Sequence, residues 1–158
     1  MQDDLDKIQQ HPLYRKGKEI VAVATKISDL IPEEEEMLQD VKRTILEHAF
    51  TLVTKVAAAE AAELYDLKME QAAIIRRAAR ELMVQNHSLT MFGFKEVSYY
   101  SIVRDLIEEY RLLFIDWVAG FDTEHYVIDR WGLFNPPGIG SFDKDPDDDI
   151  PFNPDDYL

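Results

Sequence analysis

Two groups of carboxylates have a spacing that would let them bind a metal ion. Each group places three acidic side chains close together on a predicted helix. A hard cation such as Mg²⁺ prefers several oxygen ligands and can activate water for hydrolysis. The alternative is that these acids only face solvent, where glutamate is usually found. The residues are Glu60, Glu63 and Asp66 in one segment, and Asp105, Glu108 and Glu109 in a later one.

Other residue types that commonly perform chemistry give no site. The chain has no cysteine, which excludes thiolate metal sites and cysteine nucleophiles. Its four histidines are scattered, no two of them have a ligand spacing, and no Glu-x-x-His pair occurs. The leading prediction therefore has no catalytic residue, no resident metal and no cofactor, and the carboxylate groups are its alternative.

Three arginines lie close together in IIRRAARELM (74–83), although the chain is strongly acidic. Its formal charge is −14, from 17 basic and 31 acidic residues. At 100° per residue, these arginines share one helix face with apolar residues, and this face lies off the one that is predicted to fill the core of the bundle. We call this face the arginine stripe. It consists of Met69, Ala73, Arg76, Arg77, Arg80 and Val84.

A surface that mixes arginine with apolar side chains is typical of a protein–protein interface. The arginine stripe therefore predicts contact with a sister subunit or with another protein. The alternative is a solvated helix face, on which Arg77 pairs with Glu81. Phosphate binding is a third option, which requires assembly to bring Arg15, Lys16 and Lys18 beside the stripe. We thus predict contact with nucleic acid only through an assembled oligomer.

Apolar residues recur at helical spacing between residues 12 and 121, where glycine and proline are rare. Four helices are predicted, at about 12–31, from 33 to an end within 62–67, at 66–87 and at 97–120. Short connections between them predict an all-α fold, an antiparallel up-down-up-down four-helix bundle. The predicted inward face of the second helix is Leu38, Val41, Ile45, Ala49, Leu52, Val56 and Ala59. That of the fourth is Tyr99, Val103, Leu106, Tyr110, Leu113 and Trp117.

The two ends of the chain differ in composition from this region. Residues 1–11 form a predicted acidic N-terminal arm, and residues 122–158 an irregular acidic tail rich in Pro and Asp. The tail also contains aromatic residues, so two options stay open. Either it is disordered, or its aromatic side chains dock on the bundle or on a partner. These aromatic residues are Trp131, Phe134, Phe142, Phe152 and Tyr157.

The sequence gives no signal for a membrane. No apolar run approaches the roughly 18 residues that a membrane span needs. The first residues, MQDDLDKIQQ, are polar and acidic, unlike a signal peptide. We expect a soluble, cytoplasmic protein.

Three segments carry a resemblance to a known family: LYRKGKEIVAVATKISDLIP (13–32), ELYDLKMEQAAIIRRAARELM (63–83) and FGFKEVSYYSIVRDLIEEYRLLFIDWVAGF (92–121). They resemble the four-helix-bundle family of ribosomal-RNA intervening-sequence proteins and of accessory variability proteins of diversity-generating retroelements. The likeness covers about 110 of the 158 residues and lies in the helical pattern. The chain departs from the family where AAAEAAELYD replaces an Ala-Glu-Gly turn, and the acidic tail has no counterpart.

The resemblance implies a ring of five bundles and a basic surface that binds a reverse transcriptase and nucleic acid. Our leading hypothesis is thus a non-enzymatic, homo-oligomeric accessory or scaffold protein, a pentamer by resemblance. Its partner would be a protein or ribonucleoprotein, with a reverse transcriptase as the one that the resemblance suggests. Two alternatives stay open. The carboxylates resemble the magnesium cluster of all-α nucleotide pyrophosphohydrolases, and the acidic tail could serve as an interaction module.

Overall fold

The computed structural model describes residues 2–146, and within that range the chain is all-α, with no strand. A 3₁₀ turn, Val97–Tyr99, precedes the last helix. No helix in the described part combines the length and apolar character needed to cross a membrane. The helices are α1 (Gln2–Gln10), α2 (Pro12–Ser28), α3 (Glu36–Ala61), α4 (Tyr65–Met83), α5 (Gln85–Met91) and α6 (Tyr100–Ala119).

Helices α2, α3, α4 and α6 share one hydrophobic core. Helix α3 packs closely against α2 and α4, and α2 also packs against α6, while α4 and α6 contact each other less closely. All seven residues predicted for the inward face of α3 are buried. The apolar spacing therefore identified the face of the longest helix correctly, because one continuous core covers it.

Three helices meet at the backbone carbonyl of Leu52 in α3. The buried Gly17 of α2 lies so close that a Cβ atom there would be 2.7 Å from this oxygen. From the other side, the buried hydroxyl of Tyr110 in α6 donates a hydrogen bond to the same oxygen at 2.8 Å. Position 17 has no side chain, so α2 can approach α3 closely. The Tyr110 hydroxyl provides the hydrogen bond that joins α6 to the same carbonyl of α3.

A second buried tyrosine connects α6 to α4. Tyr100, the first residue of α6, donates its hydroxyl to the backbone carbonyl of Leu82. Burial raises the pKa of both Tyr100 and Tyr110 well above that of a free tyrosine; nearby Arg104 opposes the rise at Tyr100. Both phenols are therefore neutral hydrogen-bond donors in the folded protein over the ordinary pH range.

Two predicted helix boundaries need correction. The acidic arm (1–11) contains a helix, α1, which contacts α2. The predicted third helix (66–87) is two helices, because the backbone of Val84 departs from helical geometry between α4 and α5. Neither glycine nor proline marks this break in the sequence.

The prediction that Tyr99 faces inward is wrong. Its side chain is 52% exposed, whereas the neighbouring Tyr100 is buried. The 3₁₀ turn has three residues per turn, so it rotates the side chains differently from the α-helix that follows. The helical period therefore holds from Tyr100 onward and cannot be extended backward through the turn.

Candidate interaction surfaces

A groove with an apolar floor runs between α4 and α6, the less closely packed pair of helices. It has a volume of about 490 Å³. Its floor consists of the buried side chains of Ile75, Ile107 and Tyr110, and half-buried side chains complete the lining. Val84, directly after α4, and Ile115 of α6 are 47% and 50% exposed, so apolar surface continues to the rim. The half-buried lining residues are Ala79, Met83 and Phe114.

The rim of the groove carries more positive than negative charge. Arg76 and Arg80 line it from α4, and neither forms an ion pair with any residue in the described range 2–146. On the α6 side, Arg111 donates from Nε to the Glu108 carboxylate at 3.0 Å, which neutralises both groups. Two arginines therefore remain available to an acidic partner beside an apolar floor.

The structure brings together half of the predicted arginine stripe. Arg76, Arg80 and Val84 line the groove. Arg77 and Ala73 are exposed on α4 outside the groove lining, and Arg77 does not form the ion pair with Glu81 that a solvated face would use. The sixth residue of the stripe, Met69, is half-buried and also outside the lining.

Sequence reasoning missed the α6 wall of the groove. Ile107, Phe114 and Ile115 lie there, off the face predicted from Tyr110 and its helical neighbours. The signal was an excess of apolar residues in RLLFIDWV (111–118), more than one face of a helix can bury. Such an excess indicates a second apolar surface on the same helix.

The two predicted carboxylate groups do not come together. Glu60 accepts a hydrogen bond from the Trp117 indole at 2.6 Å, and Glu109 pairs with Lys16 at 3.3 Å. Glu63 is exposed to solvent. Within residues 2–146, no three His, Asp or Glu side chains are placed to hold a metal ion.

A second candidate surface lies after α6, where residues 129–145 form an irregular loop organised by Asp129. One carboxylate oxygen of Asp129 accepts from the amide of Trp131 at 3.0 Å. The other accepts from Leu133 at 2.9 Å and from Phe134 at 2.7 Å. These bonds, the one from Phe134 above all, lower the pKa of the Asp129 carboxyl. Asp129 therefore fixes the backbone of the loop through its charged form.

Arg130 closes the loop by reaching its far end. Its guanidinium donates to the carbonyls of Ser141 at 3.0 Å and Asp143 at 2.8 Å, and to the Asp145 carboxylate at 3.1 Å. Asp145 also accepts from the Ile128 amide at 2.6 Å. We call residues 129–145 the aromatic loop.

The aromatic loop holds large apolar side chains in solvent. Trp131 is 95% exposed, Phe142 is fully exposed and Leu133 is 73% exposed. Gly132 has a positive φ, and a Cβ atom there would be 2.5 Å from the Ser141 hydroxyl, so the two sides of the loop touch at this point. Trp131 and Leu133 flank Gly132, and Phe142 follows Ser141, so all three residues adjoin this contact along the chain. We call these three side chains the aromatic tip.

The loop settles part of what the sequence left open about the tail. Residues 122–146 form no helix or strand, and a network of hydrogen bonds organises part of them. The option in which Trp131 and Phe142 dock on the helices of their own chain is wrong, because both are exposed. Phe152 and Tyr157 lie outside the described residues, as does the rest of 147–158.

Replacing Asp129 is expected to release the aromatic loop. Asp129→Ala removes both oxygens that accept these three hydrogen bonds, so we expect hydrogen exchange at the Trp131, Leu133 and Phe134 amides to accelerate at least about tenfold. Asp129→Asn keeps one acceptor oxygen and should protect only part of this set. Exchange followed by NMR measures both variants, and the helix amides of α3 are the internal control. Unchanged protection in Asp129→Ala would show that the loop does not depend on this carboxylate.

Acid is expected to have the same local effect as removing the carboxylate. Because the pKa of Asp129 is lowered in the folded protein, its contribution is present above the ordinary aspartate pKa of about 3.9 and is lost as pH falls below it.

Comparison with protein-family models, with curated proteins and with solved structures finds no match for this chain. The groove and the aromatic loop are therefore the features from which a function is inferred.

Proposed function

We propose that this chain is a non-enzymatic, homo-oligomeric accessory or scaffold protein of the cytoplasm. It would act through the groove between α4 and α6 and the part of the arginine stripe beside it. The observation that carries the proposal is the pairing of an apolar floor with two arginines, Arg76 and Arg80, that have no acidic partner among the described residues. Arginine and exposed apolar side chains are enriched where proteins bind each other.

The proposal includes an antiparallel up-down-up-down four-helix bundle as its framework. Support comes from contacts between α2 and α3: Asp29 binds Lys42, while Gly17 lies against Leu52. Residue numbers fall along one helix as they rise along the other, which is the pattern of antiparallel neighbours. The corresponding pairs between α2 and α6 are Lys16–Glu109 and His11–Trp117.

Exposed apolar residues at the groove favour a protein partner. Val84 and Ile115 leave about half of their surface in water, and covering such side chains stabilises a complex by about 25 cal/mol per Å². A partner that is both apolar and acidic would use the floor and the rim together. A five-membered ring and a reverse-transcriptase or ribonucleoprotein partner are further parts of the proposal, supported by the family resemblance alone.

Charge reversal at the rim tests the proposal. The double variant Arg76→Glu/Arg80→Glu should weaken self-association at least about tenfold, because it replaces attraction to an acidic partner by repulsion. Sedimentation velocity over a range of micromolar concentrations measures the effect. The matched control is Arg43→Glu, an exposed arginine of α3 outside the groove, which should associate as the unchanged protein does.

Two results would contradict the proposal. A chain that sediments as a monomer at every micromolar concentration is not a homo-oligomeric scaffold. An oligomer that loses nothing on charge reversal assembles through a face other than the one that carries Arg76 and Arg80.

A further inference from the structure

We propose that the aromatic tip of one copy inserts into the groove between α4 and α6 of a second copy, in a head-to-tail contact. This inference rests on the proposed function and names the two surfaces that would meet. It also assigns a role to the aromatic loop, which the groove alone does not explain.

The exposure of the tip is enforced by the loop. Asp129 and Arg130 organise the backbone on both sides of Trp131 and Phe142, so the tip cannot turn inward without breaking their hydrogen bonds. Tryptophan is highly buried on average and is one of the residue types that are enriched among binding hot spots. A rigid loop that presents Trp131 has already lost conformational entropy, which favours association. The tip therefore has the properties of a preformed binding element.

The groove matches the tip in both polarity and charge. Its floor is apolar, with Ile75 and Ile107 at the base, and can cover aromatic rings. Its rim carries Arg76 and Arg80, while the aromatic loop carries Asp129, Asp143 and Asp145 against Arg130 and Lys144, and the sequence that follows, residues 147–158, contains five more aspartates. An approaching loop therefore brings carboxylates toward two guanidinium groups that have no ion-pair partner among residues 2–146, which favours this contact over others.

The tip does not occupy the groove of its own chain. The His125 carbonyl accepts a hydrogen bond from the Tyr65 amide at 3.0 Å, which ties the segment after α6 to the first residue of α4. The groove begins at Ile75, ten residues further along α4 and thus about 15 Å away. Because Trp131 is almost fully exposed, it does not fill this groove. The occupant is therefore a second copy.

Two different surfaces that bind each other make a heterologous interface. Such an interface adds copies in one direction, and the series ends only when the rotation between copies closes a ring. Each copy within the assembly uses one tip and one groove. A copy that lacks either surface can still bind through the other, and this property provides the test.

The test mixes two variants that each lack one surface. The tip variant is Trp131→Ala/Phe142→Ala, and the groove variant is Val84→Glu/Ile115→Glu. Alone, each should associate on the order of thirtyfold more weakly than the unchanged chain, since each loses hot-spot contacts. An equimolar mixture should form a 1:1 heterodimer of the intact groove of one variant with the intact tip of the other. Sedimentation velocity detects this species, and circular dichroism confirms that both variants fold.

Matched controls separate the contact from a general loss of apolar surface. Phe50→Ala in α3 and Leu112→Glu in α6 change side chains that are more than half exposed but lie outside the groove lining and the tip. Both should assemble as the unchanged chain does. Phe152→Ala/Tyr157→Ala, made in the full chain, should also leave assembly intact, because the tip is the occupant. Dissociation of that variant, with the tip unchanged, would assign the groove to residues 147–158 and overturn the inference.

The remaining outcomes distinguish this inference from the proposed function. If the tip variant stays oligomeric while Arg76→Glu/Arg80→Glu dissociates, the scaffold proposal stands and the tip is not the occupant. If both surface variants dissociate but their mixture gives no heterodimer, the contact is not head-to-tail and the inference is overturned. If the unchanged chain is a monomer, both the scaffold proposal and the head-to-tail inference are overturned.

Discussion

Gly17→Ala is expected to lower the free energy of unfolding by about 2 kcal/mol, and Gly17→Val by on the order of 4 kcal/mol. Within a helix, alanine is normally about 1 kcal/mol better than glycine. At this position the added Cβ would be 2.7 Å from the Leu52 carbonyl oxygen and 3.1 Å from a methyl group of Val53. Because a carbonyl within a helix cannot move alone, α2 and α3 must separate. The hydrogen bond from Tyr110 to the same oxygen would be disturbed as well.

Gly120→Ala is the matched control, since the nearest atom to a Cβ there is 3.5 Å away, an ordinary contact. We expect a change within about 0.5 kcal/mol for that variant. Urea unfolding followed by circular dichroism measures both substitutions, and a loss of 2 kcal/mol corresponds to a melting temperature about 4–8 °C lower. Equal stabilities for Gly17→Ala and Gly120→Ala would show that the α2–α3 contact can relax without loss.

The all-α class and the core face of α3 could be predicted because they depend on apolar spacing, which the sequence states directly. Ile45, Leu52 and Val56 are buried where a period of 3.6 residues puts them. The phase of α6 could not be predicted in the same way. Whether Tyr99 or Tyr100 enters the core depends on the 3₁₀ turn, Val97–Tyr99, that precedes α6. No residue type marks that turn in the sequence.

The groove was only partly predictable from the sequence. The arginine stripe identified one wall, since Arg76 and Arg80 alternate with apolar residues on one side of a helix. The other wall depends on how far α4 and α6 are separated, a property of the whole packing arrangement. The same limit applies to the carboxylates. Spacing put Glu60 on a helix face, but only the fold places the Trp117 indole within 2.6 Å of it.

The aromatic loop combines a local signal with a long-range one. Asp129 binds amides two to five residues further along the chain, a local pattern that short polar side chains commonly form in turns. The segment DRWGLFNPPG (129–138) could thus have been recognised as an ordered turn. The bond from Arg130 to Asp145 spans fifteen residues, and nothing in the sequence pairs them.

The stability of the fold is expected to fall steeply above about pH 10, by as much as about 2.7 kcal/mol per pH unit from two tyrosines together. Burial raises the pKa of Tyr100 and Tyr110 in the folded protein well above the ordinary value. Above the ordinary tyrosine pKa, the unfolded chain releases both phenolic protons while the folded chain keeps them. The unfolded state then binds fewer protons, so the free energy of unfolding decreases with pH. Their contribution is complete below about pH 10 and is lost as pH rises toward the raised values.

Replacing both hydroxyl groups isolates this effect. Tyr100→Phe/Tyr110→Phe loses two buried hydrogen bonds and should be less stable at pH 7, by about 1–3 kcal/mol. Its stability should nevertheless change less above pH 10, because phenylalanine does not ionise, so the two curves converge in alkali. Tyr99→Phe is the matched control, since Tyr99 is half exposed and should leave the slope unchanged. Urea unfolding at intervals between pH 8 and 11 gives the slopes. If the double variant loses stability as steeply as the unchanged chain, ionisation of groups other than Tyr100 and Tyr110 causes the alkaline loss of stability.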